Sequence, residues 1–205
     1  TKPRMAMSIL QRLIHAEVPF GWVTADEAYG QVKYLRAWLE EQGIAYVLAT
    51  RRDDDVPGRE WLSWVRMDEL AALPARKCRR ISCGAGAHGQ RVYDWARVGV
   101  RPVWKNGFGH WVLARRSISD PTELAYYLCY APARTTLAEL ARIAGRRWPV
   151  EECFQQAKNE AGLDEYQVRD WRAWYAHITL SMAAHALLVI TKTLAAKGDP
   201  AGPST

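Results

Sequence analysis

Residues 21–50 read GWVTADEAYGQVKYLRAWLEEQGIAYVLAT. The β-prone WVTAD predicts a short strand ending at Asp26, and EAYG after it predicts a turn. In QVKYLRAWLEEQG, the apolar Val32, Leu35, Trp38 and Leu39 recur at helical spacing until Gly43 stops the run. IAYVLAT (44–50) is almost continuously apolar, the pattern of a strand covered on both faces. Upstream, Ile9, Leu10, Leu13 and Ile14 sit at helix spacing within about residues 4–16 and are expected to bury. Helix, strand, helix, strand in that order is the grammar of a parallel sheet with packed helices, so the fold class is α/β.

The chain has 205 residues and is 49% hydrophobic, enough for one domain or for a domain with a sizeable insertion. Twenty-eight Lys and Arg against 22 Asp and Glu give a net charge of +6, which favours a polyanionic partner. Cys78, Cys83, Cys129 and Cys153 form no CxxC pair and stand at no zinc spacing, so neither a structural zinc nor a disulfide framework is indicated. Scattered thiols without a signal peptide read as a reducing, cytoplasmic compartment. The run MAAHALLVI (182–190) is too short to span a bilayer, and no membrane partner is expected. The opening TKPRMAMSIL starts inside a helical pattern, so the chain reads as the downstream part of a longer one.

Outward from residues 1–50, the pattern changes twice. From 51 to 138 the sequence is β-rich. RRDDDVPGRE and CGAGAHG (83–89) read as loops, and RVYDWARV (91–98), GHWVLARR (109–116) and LAYYLCYA (124–131) read as strands. The last two, joined by SISDPTE, suit an antiparallel pair. Trp61, Trp64, Trp95, Trp104 and Trp111 alternate here with Arg51, Arg52, Arg91, Arg97, Arg101, Arg115 and Arg116. Phosphate contact and base stacking use those residue types, but a tryptophan-rich core with a basic rim explains most of them. Residues 139–196 are helical: a Thr-capped helix in 135–148 stopped at Gly145, a second opened by Pro149 and ended by Gly162, and a long third from about 171 to 196 behind Asp170. Residues 197–205 read as a disordered tail.

The stretch RRWPVEECFQQAKNEAGLDEYQVRDW (146–171) carries a cation, a carboxylate and a cation in register. On a wheel Glu151 lies about 40° and Lys158 about 20° from Arg147, so all three share one face, with Phe154 implying that part of that face is packed. An acidic residue in a first helical turn needs no function, since the macrodipole favours it. Asp26 changes the weighting. A carboxylate at the carboxyl end of a parallel strand stands where open α/β sheets place ligands. Phosphodiester chemistry commonly uses two Mg²⁺ ions about 4 Å apart, held by carboxylates from different elements.

ADEAYG after an apolar strand, with Arg147, Glu151 and Lys158 spaced R-x3-E-x6-K, resembles the insertion-sequence transposases of the DDE class, whose signature is Y-x2-R-x3-E-x6-K. The resemblance runs through YYLCYAP and the His-bearing final helix, covering nearly the whole chain. It implies a partial RNase H-like core, residues 1–50 and 139–196, interrupted by a β-rich insertion at 51–138. It implies Asp26 as the second catalytic Asp and Glu151 as the final Glu, both metal ligands for Mg²⁺ or Mn²⁺. Arg147 and Lys158 become DNA-binding residues, the partners are insertion-sequence ends and target DNA, and the full-length protein forms a homodimer in bacterial cytoplasm, at the nucleoid. Two departures stand out: Ala144 occupies the Tyr position, and the first Asp would precede residue 1.

Other polar residues fit blander roles. Glu27 reads as a turn residue, Asp53, Asp54 and Asp55 as a solvated loop, Glu152 as solvent-facing, and His177 and His185 as core or interface histidines. Asp164, Tyr166, Gln167 and Arg169 form a polar connector. Beside transposition, two readings stay open: a non-catalytic remnant that binds DNA or a partner, and a two-carboxylate hydrolase with another substrate.

Overall fold

The computed structural model describes residues 1–58, 64–70, 77–86, 89–101, 107–167 and 169–198. Trp61 and Trp104 lie outside them. The chain divides into two compact units, Thr1–Arg147 and Trp148–Thr205.

In the first unit, α1 (Lys2–His15) precedes β1 (Val23–Ala25), α2 (Glu27–Gly30), α3 (Lys33–Glu41) and β2 (Tyr46–Thr50). β1 and β2 are parallel, with Val23 opposite Tyr46 and Ala25 opposite Leu48, as the helix between them requires. Gly43 ends α3 in the left-handed region at φ +68°. EAYG proves to be a single helical turn rather than an irregular one. The cause is Asp26, whose Oδ1 accepts the Ala28 N–H at 3.0 Å and so caps α2.

The acidic run opens a small ribbon, β3 (Asp55–Pro57) paired with β4 (Trp64–Arg66), followed by α4 (Met67–Leu70). Beyond it β5 (Arg79–Gly86), β6 (Gly89–Arg101), β7 (Phe108–Arg116) and β8 (Leu124–Pro132) form an antiparallel meander. The expected pairing of 109–116 with 124–131 is present. CGAGAHG is not a loop throughout: Cys83–Gly86 belong to β5 and Gly89 opens β6. The register shifts between Ser82 and Ala85 around Gly84, whose φ is +113°, so the glycine serves a bulge. β8 lies antiparallel on β2, Tyr46 facing Tyr130 and Thr50 facing Tyr126. One six-stranded sheet results, in the order β1-β2-β8-β7-β6-β5, with β1 at its end.

Each face of this sheet has its own core. Leu35 and Leu39 of α3 bury against Tyr46, Leu48, Val112 and Leu128. On the other face Leu140 and Ala141 of α5 (Leu137–Gly145) bury against Val47, Trp95, Leu113 and Cys129. Full burial of each leucine contributes about 1.5–3 kcal/mol. β2 is thereby covered on both sides, as its apolar run predicts. Thr136 caps α5, its Oγ1 accepting the Glu139 N–H at 3.2 Å. α1 departs from expectation. It touches the core through Met7 and Leu10, while Ile9 and Ile14 stay exposed, because only one line of the helix meets the sheet unit.

The second unit is α6 (Trp148–Ala161) and α7 (Trp171–Gly198). Gly162, at φ +61°, stops α6, and Asp170 Oδ1 caps α7 by accepting the Ala173 N–H at 2.9 Å. The expected tail overlaps the end of α7, and residues 199–205 lie outside the described ones. The segment Trp171–Ala195, with mean hydropathy 1.5, is long and apolar enough to cross a membrane by length and composition. The nine-residue run alone misleads, because Ala and Thr on either side extend the low polarity. The whole is α/β, a mixed sheet with flanking helices and a helical C-terminal region, consistent with a partial RNase H-like fold.

Candidate active site

Because β1 and β2 run parallel, their carboxyl ends open side by side, and Asp26 is the first residue past β1. It is exposed, with one oxygen occupied by the α2 cap. α2 can sit this close only because its last residue is Gly30: a Cβ there would lie 1.7 Å from the Ala49 carbonyl oxygen of β2. The glycine of ADEAYG thus fixes how the Asp-bearing turn seats on the sheet.

Around the same end, Arg51 donates two hydrogen bonds to Asp53, each 2.9 Å. That pairing holds the Asp53 carboxyl below its ordinary range and raises the guanidinium, to which Glu27 adds a smaller electrostatic contribution. Asp54 corrects the picture of a uniformly solvated acidic loop. It accepts the Thr50 hydroxyl at 2.7 Å and pairs with the buried Arg36, which also donates to the Gly30 carbonyl. A buried guanidinium on α3 demands such a partner, so Asp54 is structural.

Arg147 is half-buried in the turn between α5 and α6. Tyr127 of β8 has its phenol pushed up by burial, and the guanidiniums of Arg115 and Arg147 oppose that shift. The residue at the signature's Tyr position, Ala144, is buried in the α5 core. Beside it Gly145 packs so closely that a Cβ would lie 2.6 Å from Cys83 Cβ. A tyrosine at 144 would have to displace this packing.

In the second unit, Glu151 occupies the first turn of α6 and Lys158 its last. Both are exposed, and so is Phe154, which corrects the expectation that this stripe is partly packed; Ala157 is the buried residue of α6. The two histidines are structural here. His177 Nε2 lies 3.0 Å from the Gly162 carbonyl oxygen, and His185 Nε2 lies 3.4 Å from Cys153 Sγ. In the connector, the Tyr166 hydroxyl donates to the Asp170 carbonyl at 2.6 Å.

Sequence reasoning missed the β-sheet arginines that turn inward. Arg115 is buried, donates to Glu123 at 3.0 Å and lies over the Tyr93 ring, and Arg97 donates to the Thr135 carbonyl beside the Trp111 ring. Alternation along β6 and β7 placed them on the α5 face, a signal readable once the register is known. A cleft of about 570 Å³ involving Phe20, Trp22 and Arg134 opens at the amino end of β1, the end away from Asp26, and plays no part in this site.

Residues 1–107 match the family model described as DDE superfamily endonuclease. The chain belongs to that family. The matched span includes Asp26 and stops short of Arg147, Glu151 and Lys158. This DDE-family chain is also similar to a probable transposase for insertion sequence element IS701 from Microchaete diplosiphon, 21% identical over 169 residues. The aligned region covers 82% of this chain and 42% of that protein, so the chain spans about two fifths of its relative.

DDE-type endonucleases generally use divalent metals. The donors fit in kind, since exposed carboxylates are the hard oxygen ligands that Mg²⁺ and Mn²⁺ select. In number they fall short: among the described residues, no group of three His, Cys, Asp or Glu side chains is gathered to hold an ion.

Proposed function

We propose that this chain serves DNA transposition, as part of a metal-dependent endonuclease that cleaves DNA at insertion-sequence ends and joins the freed 3′-hydroxyl to target DNA. What carries the reading is Asp26, a family-matched carboxylate capping a helical turn at the open carboxyl end of a parallel strand pair. Asp26 and Glu151 are proposed to act as two of the metal ligands. A bound Mg²⁺ or Mn²⁺ would lower the pKa of the attacking oxygen and stabilise the leaving one. The cap holds Asp26 in a fixed rotamer, so its second oxygen meets the ligand without reordering. Arg147 and Lys158 are proposed to hold backbone phosphates, Arg147 as a planar fork and Lys158 as a mobile point charge. The core is proposed as 1–50 with 139–196, the β-rich segment 51–138 being its insertion. The compartment that goes with this activity is the bacterial cytoplasm, at the nucleoid.

A third carboxylate is proposed to come from outside these 205 residues, in keeping with the missing three-ligand group and with the fraction of the relative spanned. The remnant reading draws on the same observation. Nicking of supercoiled plasmid bearing the element's ends, with Mg²⁺ or Mn²⁺, separates the possibilities. The 205-residue chain alone should be inactive, and a longer natural chain active. In the longer chain Asp26→Asn and Glu151→Gln should each lower the rate by at least about 10³-fold. Full activity in Glu151→Gln would remove that residue from the site. Metal-dependent nicking by the short chain, abolished by Asp26→Asn, would show that the third ligand lies within it. Inactivity of the longer chain would favour the remnant.

A further inference from the structure

One row of the sheet gathers arginines that lie outside both cores. The register runs unbroken from the strand before Asp26 outward. Ala25 stands opposite Leu48, Thr50 opposite Tyr126, Leu124 opposite Arg116, Arg116 opposite Asp94, and Asp94 opposite Arg80. Arg116, Asp94 and Arg80 therefore share one row, at the end of the sheet where β1 delivers Asp26. They also share a face with α3. Val112 and Ala114 pack into the α3 core, and alternation along β7 puts Arg116 on their side. Tyr29 of α2, the turn that Asp26 caps, packs on that same core.

Asp94 fastens the row. Its Oδ1 accepts Arg80 Nε at 3.2 Å, and its Oδ2 lies 3.5 Å from Arg116 Nη2. Asp94 and Arg116 are half-buried, whereas the Arg80 side chain is 63% exposed. Packing explains Arg116 but not Arg80, because an ion pair so exposed adds little stability. Each guanidinium gives Asp94 one nitrogen, and its other N–H groups keep the planar fork that phosphate accepts. One carboxylate between two arginines leaves the row positive. The exposed Arg52 adds a cation within electrostatic reach of Tyr126, one row back on this face. The acids Asp68 and Glu69 are paired with Arg66.

β7 and β5 are three and five strands from β1. At about 4.8 Å per strand, Arg116 and Arg80 stand roughly 14 and 24 Å across the sheet from Asp26. DNA rises about 3.4 Å per base pair, so that span is about four to seven base pairs. We infer that the Arg80–Asp94–Arg116 row holds the backbone of duplex DNA about four to seven base pairs from the strand at Asp26, with Asp94 as a positioning residue. The duplex then runs from β1 across the β-rich segment on the α3 face. This rests on the proposed DNA reading and adds the course of the substrate to it. The forks suit phosphates, and the row holds no aromatic ring on which unpaired bases could stack.

Salt titration of the 205-residue chain on a fluorescent duplex of about 20 base pairs tests the contact, with far-UV circular dichroism checking the fold of each variant. Arg80→Ala, at an exposed position, should flatten log K against log salt by about 0.9. Arg80→Ala/Arg116→Ala should flatten it by about 1.8 and weaken binding about tenfold. Arg4→Ala/Arg12→Ala removes the same charge from exposed positions of α1 and should leave the slope unchanged. Asp94→Ala separates positioning from bulk charge. It makes the chain more positive, so bulk attraction alone tightens binding, whereas loss of the fastener weakens it; weaker binding is expected. A methylphosphonate scan of the element's end DNA, bound by the longer natural chain, locates the contact. Neutral phosphates about four to seven base pairs from the terminal nucleotide should lower the affinity of the wild type and not of the double arginine variant. Unchanged slopes in both arginine variants, tighter binding by Asp94→Ala, or a scan without such a position overturns the inference and leaves the DNA reading standing. A loss confined to single-stranded RNA, titrated in parallel, overturns it in favour of another occupant. A wild-type chain without affinity for duplex DNA overturns both.

Discussion

A methyl group at Gly30 would meet the Ala49 carbonyl oxygen at 1.7 Å, a distance no relaxation of one side chain can relieve. Gly30→Ala should therefore destabilise by about 3 kcal/mol or more, read from urea midpoints. The acidic run divides in the same way when tested singly. Asp54→Ala strands the buried Arg36 and should cost about 3 kcal/mol, whereas Asp53→Ala, at the surface, should leave the midpoint unchanged. Buried acids set an alkaline limit, Cys129 and Tyr46 among them. Burial raises the Cys129 thiol, and burial with the nearby Glu40 raises Tyr46 well above the ordinary phenol range. The unfolded chain releases these protons near pH 8.5 and pH 10, while the folded chain retains them. Stability is thus full below about pH 8.5 and falls as pH rises past each unfolded value. Cys129→Ala should flatten the decline between pH 8 and 10, and Tyr46→Phe the decline above it. Midpoints measured at pH 7, 9 and 10.5 would show an unaltered slope if either group is not involved.

At the scale of elements, the strongest periodic segments were legible: α3, β2, the β7–β8 pair, the Thr136 and Asp170 caps and the glycine stops at 43 and 162. β5 was hidden because its bulge and turn glycines, 84 and 89, read as punctuation when they in fact serve the strand. β3 was hidden by the acidic run that leads into it, since only Val56 of that strand is buried. The inward placement of Arg97, part-buried, and of Arg115, buried, depends on register, and local spacing does not contain register. Asp26 was legible as a candidate site residue by its place after a strand, and its role as a cap was not. That dual role yields a prediction. Asp26→Ala should lose the α2 cap at about 1 kcal/mol, while Asp26→Asn keeps an acceptor and should melt close to the wild type. A large loss of stability in Asp26→Asn would show that the carboxylate charge supports the fold.

For the molecule as a whole, the net charge of +6 would make the proposed DNA affinity salt-dependent, and the test is which cations supply it. If Arg147 and Lys158 hold phosphates, their double alanine variant should bind duplex DNA more weakly across sequences. Its log K against log salt should be flatter by roughly two contacts, a slope change of about 1.8. An unchanged slope in a fluorescence titration would assign both residues to structure. The α/β class and the parallel start of the sheet were legible because alternating helices and strands leave few other solutions. That the β-rich segment continues the same sheet was not, since nothing local in Leu124–Pro132 names β2 as its neighbour.

That β2–β8 ladder also sets a timetable. Tyr46 stands in register with Tyr130, so β2 waits on the ribosome for its central neighbour until the whole meander has emerged. Within the meander each of β5 to β8 pairs with the strand next to it in the chain, and those pairings can close early, because short loops cost little entropy. The nascent chain therefore completes its last hairpin before its first strands are locked. The turn bearing Asp26 becomes rigid only when the final strand docks.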